Sequence, residues 1–92
     1  MPQQRWAIVV RGRVQGVGFR YFTRSCARKN GLVGWVKNMP DSSVGIEVQG
    51  AMKDLDVFKK AVGDGPVLAR VDAIHSEEIP AVENETTFKI VF

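Results

Sequence analysis

Trp6-Ala-Ile-Val-Val-Arg-Gly-Arg13 runs into Val14-Gln-Gly-Val-Gly-Phe19, and the chain later returns to an apolar run at Leu32-Val-Gly-Trp-Val-Lys-Asn38. The first segment is rich in β-branched and aromatic residues, and Trp6, Ile8 and Val10 alternate onto one face, which predicts a strand. Residues 19–30 fit a helix: Phe19, Phe22 and Cys26 fall at i, i+3 and i+7, and Ala27 widens the stripe. Arg28 and Lys29 in its last turn and Gly31 just beyond are C-terminal signals. Residues 32–38 form a second strand. The helix carries the chain back, so both strands run the same way in a βαβ unit.

Working outward, Met39-Pro40-Asp41-Ser42-Ser43 supplies turn chemistry, and Val44, Ile46 and Val48 alternate with Gly45, Glu47 and Gln49 in a third strand closed by Gly50. A second helix over about 51–62 carries the stripe Leu55, Phe58 and Val62, and Gly63-Asp64-Gly65-Pro66 stops it. Residues 67–78 contain a fourth strand and 86–92 a short fifth. The order predicts an α+β fold of the ferredoxin-like class. It is a βαββαβ two-layer sandwich with two helices on one face of a mainly antiparallel sheet, and a short fifth strand ends it.

Ninety-two residues are expected to make a single domain over 1–92, because two cores would each fall below the usual size limit. At 45% hydrophobic and 25% charged, the composition is that of a globular chain. The one cysteine, Cys26, cannot form an internal disulfide, no stretch reads as a signal peptide, and no apolar run approaches the length of a membrane span. These features predict a cytoplasmic protein without a membrane partner. Charge is unevenly spread. Residues 1–40 hold eight basic side chains and no Asp or Glu, whereas residues 41–92 hold five basic and ten acidic ones, a net of −5. This pattern fits an anionic partner for the first part of the chain, or a solvated basic helix face.

Topology limits where such a partner sits. With the first two strands parallel, the loop after strand one, the start of helix one and the end of strand two share one rim. Arg20 and Asn38, 18 residues apart in sequence, are therefore expected to be neighbours in space. Gly12-Arg-Val-Gln-Gly16-Val-Gly18-Phe-Arg20 delivers the chain into a helix. Glycines let successive backbone N–H groups turn inward, the first helical amides are unpaired and carry the positive end of the dipole, and Arg20 adds a fork of donors. The same glycines also serve as plain turn geometry. Tyr21 and the lack of a following G-K-[ST] exclude the dinucleotide and Walker signatures. Asn38 reads first as an ordinary turn former; its functional reading is a side-chain amide that orients a water beside a bound phosphate.

These two segments, Gly12-Arg-Val-Gln-Gly-Val-Gly-Phe-Arg20 and Gly34-Trp-Val-Lys-Asn38, resemble the paired signature motifs of the acylphosphatase family. The resemblance extends over nearly the whole chain, including the Phe88–Phe92 strand. It implies hydrolysis of acyl phosphates to carboxylate and inorganic phosphate, the latter both product and inhibitor. It also implies a phosphate-binding loop of Gln15, Gly16, Val17, Gly18, Phe19 and Arg20, with Arg20 the catalytic arginine and Asn38 the residue that positions the attacking water. Members usually continue into an Asp-Gly turn, where this chain has Asp41-Ser42-Ser43.

Other chemistries lack parts. Cys26 lies on an apolar stripe 49 residues from the only histidine, His75, which is solitary, so neither a Cys-His nucleophile nor a metal set assembles. Glu77-Glu78 reads as a solvated strand end. No cofactor or metal is expected, and nothing points to an obligate oligomer, so a monomer is expected. Two non-enzymatic readings share the fold: a catalytically silent interaction module, and a single-stranded RNA-binding domain. Strand three, Val44-Gly-Ile-Glu-Val-Gln-Gly50, lacks the aromatic stacking platform of the latter. The fifth strand is expected to end on the Arg20 rim, where Phe92 either offers a carboxylate to the guanidinium or completes the core. No residue in the sequence identifies itself as a reader of the acyl group.

Overall fold

The computed structural model describes residues 3–92. Its elements are β1 (Gln4–Arg13), α1 (Phe19–Lys29), β2 (Val33–Asn38), β3 (Val44–Gly50), α2 (Met52–Asp64), β4 (Arg70–Ile79) and β5 (Phe88–Val91). The five strands form one sheet in the order β4-β1-β3-β2-β5. β3 is antiparallel to both β1 and β2, so β1 and β2 run the same way, and Asn38 opposite Val44 marks the rim end. β4 is antiparallel to β1, and β5 joins the far edge parallel to β2. This is the ferredoxin-like arrangement extended by one strand.

Period-2 alternation decides which face is buried. Ile8, Val10, Val36, Val44, Ile46, Val48 and Phe88 point to the helical layer and meet Phe19, Ala27, Leu55, Phe58 and Val62 in one core. The rings of Phe58 and Phe88 lie 6.1 Å apart at 56°, a tilted contact between α2 and β5. Burying each such side chain is worth about 1.5–3 kcal/mol.

α1 ends as its sequence requires. The N–H of Leu32 bonds the carbonyl of Ala27 at 2.9 Å and that of Gly31 bonds Arg28 at 3.2 Å, the paired bonds of a Schellman turn. Its buried face is rotated from the expected one. Phe19, Thr23 and Ala27 are buried at i, i+4 and i+8, while Phe22 and Cys26 flank them half-buried. A threonine methyl therefore lies in the core, and among the described residues its Oγ1 has no hydrogen-bond partner. Within the stretch expected to contain it, β4 begins at Arg70, because the Ala69 N–H closes a turn on Pro66 at 3.0 Å and leaves Val67 in solvent.

On the open face, the β4–β5 connection folds across the end of the sheet opposite Asn38. Arg5 is 3% exposed and donates to Glu47 Oε1 at 3.0 Å and Glu85 Oε1 at 2.7 Å. Burial alone would lower the Arg5 guanidinium, but Glu85 and Glu47 outweigh it and raise it above its usual value. Gln49 clamps Val82 through both its N–H and its carbonyl, at 2.9 and 3.0 Å. The rim end of the molecule is left free of this strap.

The β2–β3 turn is held by the Met39 N–H on Ser43 O at 2.8 Å and the Ser42 N–H on Met39 O at 3.1 Å. Asp41 Oδ1 accepts from the Ser43 N–H at 3.0 Å and the Ser43 hydroxyl at 2.5 Å. These bonds first, and Arg11 after them, hold the Asp41 carboxyl down at about 2. Its contribution to the turn is thus complete above the ordinary carboxylate range and is lost only as pH falls through about 2. Ser42 sits at φ 74°, a conformation in which a glycine carries no steric cost. Ser42→Gly is expected to stabilise the protein by about 0.5–1 kcal/mol, since relief of the left-handed strain exceeds the extra unfolded-state entropy. A urea midpoint below wild type would contradict this.

Candidate active site

The rim predicted from topology is a cavity of about 200 Å³ lined by Val14, Gly16, Gly18, Phe19, Arg20, Tyr21 and Asn38. Its floor is the β1–α1 loop. Val14 and Phe19, each 1% exposed, anchor the loop's two ends in the core, so burial fixes its course. Between them Gly16 at φ 73° and Gly18 at φ 77° adopt the left-handed conformation. A Cβ placed on either glycine would meet nothing within 4 Å, so side-chain absence keeps the backbone open to the cavity. Gly18 is also the N-cap of α1, which has no side-chain cap and no acidic residue in its first turn. The unpaired amides and the positive end of the helix dipole are therefore not neutralised locally.

Arg20 lies in that first turn. Its guanidinium carbon is 5.0 Å from the centre of the Phe92 ring, and among the described residues it makes no ion pair. The expected alternatives for Phe92 both give way to this contact. The ring, not the carboxylate, meets Arg20, and at 86% exposure Phe92 adds nothing to the core. β5 is paired to β2 only as far as Val91, so Phe92 lies past the last strand pairing.

Asn38 arrives from the last position of β2, paired to Val44. The two rim segments are stitched by Gln15, whose Nε2 donates to Met39 O and to Ser43 O, each at 2.9 Å. Of the loop expected to hold phosphate, Gly16, Gly18, Phe19 and Arg20 reach the cavity wall. The side chain of Gln15 is spent on the β2–β3 turn, and Val17 packs against the core.

Two left-handed glycines at the start of a helix, Arg20 and the strand-end residue Asn38 line one cavity, and the whole chain compares closely with known proteins. The acylphosphatase family model matches residues 6–90. An acylphosphatase of Clostridium acetobutylicum is 45% identical over 89 residues, 97% of this chain and 98% of its own. One from Archaeoglobus fulgidus is 46% identical over 85 residues, 92% and 94% of the two chains. The crystal structure of acylphosphatase from Bacillus subtilis superposes with a TM-score of 0.93 at 42% identity, covering 97% of this chain and 99% of that one. The chain belongs to the acylphosphatase family.

The cavity also includes two residues that the sequence did not mark as site residues, Val14 and Tyr21. Val14 carries no chemical signature, and Tyr21 entered the sequence argument only as the residue that breaks a G-x-G-x-x-G pattern. The groups considered for other chemistries stay outside. Cys26 is half-buried and burial pushes its thiol up, against the direction a nucleophile needs, with Lys29 opposing only in part. His75, Glu77 and Glu78 are exposed on β4, at the opposite edge of the sheet from β5. Among the described residues no three His, Cys, Asp or Glu side chains gather as a metal set, and no helix is long and apolar enough to cross a membrane.

Proposed function

We infer that this protein, acting as one domain over residues 1–92, hydrolyses acyl phosphates to a carboxylate and inorganic phosphate. The observation that carries the reading is that Arg20 and Asn38 line one cavity floored by Gly16 and Gly18 at the start of α1. The phosphoryl group would seat on the loop amides and on the fork of Arg20, which together neutralise its equatorial oxygens. Asn38 holds a water in line with the phosphorus. The water oxygen bonds phosphorus as the bond to the acyl oxygen breaks. The carboxylate leaves with that electron pair, and the water's protons remain with the phosphate.

Few groups suffice because the substrate is a mixed anhydride. Its carboxylate leaving group is weakly basic, so no strong general acid is required, and positioning with charge stabilisation supplies the acceleration. Family membership supports an acyl phosphate as the small-molecule substrate. Inorganic phosphate, the product, fits the same donors and acts as a competitive inhibitor. The protein works as a cytoplasmic monomer without metal, nucleic acid or membrane. Against an RNA-binding role, the open face of β3 presents Gly45, Glu47 and Gln49, none of them aromatic.

The test is turnover of acetyl phosphate by the purified protein with and without a chelator. Hydrolysis at equal rates in both is the expected result. No turnover would leave a silent module, and inhibition reversed by a divalent ion would refute the mechanism.

A further inference from the structure

The cationic excess of residues 1–40 is only partly absorbed by the fold and the phosphate cavity. Arg5 and Arg11 are held by carboxylates, Arg20 lines the cavity, and Arg24 and Arg28 lie on the Tyr21 ring and the Phe88 carbonyl. Lys37 is held by nothing of the kind. Among the described residues it makes no ion pair, and neither does Lys89. The sheet sets these two lysines around one ring. Val36 and Phe88 point into the core, so Trp35, Lys37, Lys89 and Val91 stand on the face of the sheet away from the helices. Parallel pairing puts Lys89 beside Trp35 and Val91 beside Lys37. The four side chains line a cavity of about 330 Å³ that shares no residue with the phosphate cavity.

A lysine beside an indole gains by lying over its face. Lys59 does so at Trp6, with Nζ 3.3 Å from the ring centre, but none of the cation–ring contacts among the described residues involves Trp35. Its ring and both ammonium groups are therefore left to a ligand. Trp35 is half-buried, so the sheet already holds the ring in place and a ligand covering it costs little side-chain freedom. Across the sheet Trp35 faces Glu47, whose charge Arg5 offsets through a 3.0 Å bond, and no carboxylate lines the cavity. Neighbouring strands lie about 4.8 Å apart and alternate residues about 6.6 Å along, so the two lysine stems start about 8 Å apart. Flexible stems close that span around one phosphate. The open face of β3 carries no second aromatic, so the platform takes one planar ring and not a run of bases. We propose that Trp35, Lys37, Lys89 and Val91 form a second ligand site, for a planar aromatic phosphomonoester of the nucleoside monophosphate class. The base lies on Trp35 beside Val91, and the phosphate dianion sits between the two ammonium groups.

The probes are adenosine 5′-monophosphate and adenosine, each titrated into the full chain by calorimetry with tryptophan emission followed alongside. Stacking of a base on an aromatic ring is worth about 5- to 150-fold in affinity, and an exposed charge pair about 1.5- to 5-fold. The nucleotide is therefore expected to bind about tenfold more tightly than adenosine. Lys37→Gln and Lys89→Gln are each expected to weaken the nucleotide about threefold and to leave adenosine unchanged. Trp35→Leu is expected to weaken both probes about tenfold and to abolish the quenching of emission, although Trp6 remains. Because Trp35→Leu removes a half-buried ring, its melting temperature is checked, and the lysine variants and the two-probe contrast read the site without it. The phosphate cavity could take the nucleotide's phosphate instead, and Arg20→Ala decides between the two places. Unchanged nucleotide affinity and quenching in Arg20→Ala are expected, and their loss would put the nucleotide in the phosphate cavity and overturn the proposal. Equal affinity for the two probes, nucleotide binding unmoved by both lysine variants, or no saturation by about 10 mM nucleotide would each overturn it as well.

Discussion

Arg20→Ala is expected to lower kcat/KM for acetyl phosphate by at least about 1000-fold and to abolish inhibition by inorganic phosphate. One neutral donor aimed at transition-state charge is typically worth about 100- to 1000-fold, and charge-assisted bonds from a planar fork are roughly twice as strong as neutral ones. Among the described residues Arg20 is the only charged side chain on the cavity wall, so none of them substitutes for it. Its loss leaves the fold alone. Among the described residues it has no ion-pair partner, and its one aromatic contact is with an exposed ring. The melting temperature of the variant is therefore expected to stay within about 2 °C of wild type, the equivalent of a few tenths of a kcal/mol. Arg20→Lys is also expected to fail, because an ammonium presents a point charge without the bidentate geometry. Steady-state kinetics together with phosphate titration check both variants. Wild-type turnover in Arg20→Ala would remove this residue from the site.

The pairing of Arg20 with Asn38 was legible because it follows from strand direction alone. Parallel β1 and β2 force the start of α1 and the end of β2 onto one rim, whatever the side chains do. The face of α1 was legible only approximately. Phe22 and Cys26 look more apolar than Thr23, but the helix must present one angular sector to the sheet. With Phe19 and Ala27 in that sector, Thr23 between them is buried regardless of its hydroxyl. The β2–β3 turn defeated residue-type reasoning differently, since Ser42 occupies a backbone conformation its side chain does not favour, and Asp41 and Ser43 hold it there. Gln15 was beyond reach for a related reason. Its partners are main-chain carbonyls of residues 39 and 43, and a backbone acceptor leaves no trace in the identity of the residue that carries it. Phe92 shares the parity of Phe88 and Ile90, but parity predicts burial only while a neighbouring strand and a helix cover the position, and the last β5 pairing is Lys37 with Val91.

Asn38→Ala is expected to reduce kcat about 100- to 1000-fold while inhibition by inorganic phosphate changes less than about twofold. The asymmetry follows from what the side chain would touch. A primary amide carries both an acceptor oxygen and donor N–H groups, so it can orient a water, and a proposed contact with the nucleophile leaves ground-state phosphate binding to the loop and Arg20. The position is rigid enough for that task. Asn38 is paired to Val44, Val36 two residues earlier is fully buried, and Gln15 ties the following turn to the β1–α1 loop. Asn38→Asp separates orientation from electrostatics. It keeps an acceptor for the water but sets a negative charge beside an anionic phosphoryl group, so KM and the phosphate inhibition constant are expected to rise together with the loss in kcat. Equal losses of kcat and phosphate affinity in Asn38→Ala would make Asn38 a phosphate-binding residue. A fall in melting temperature alongside them would instead make it a structural part of the turn.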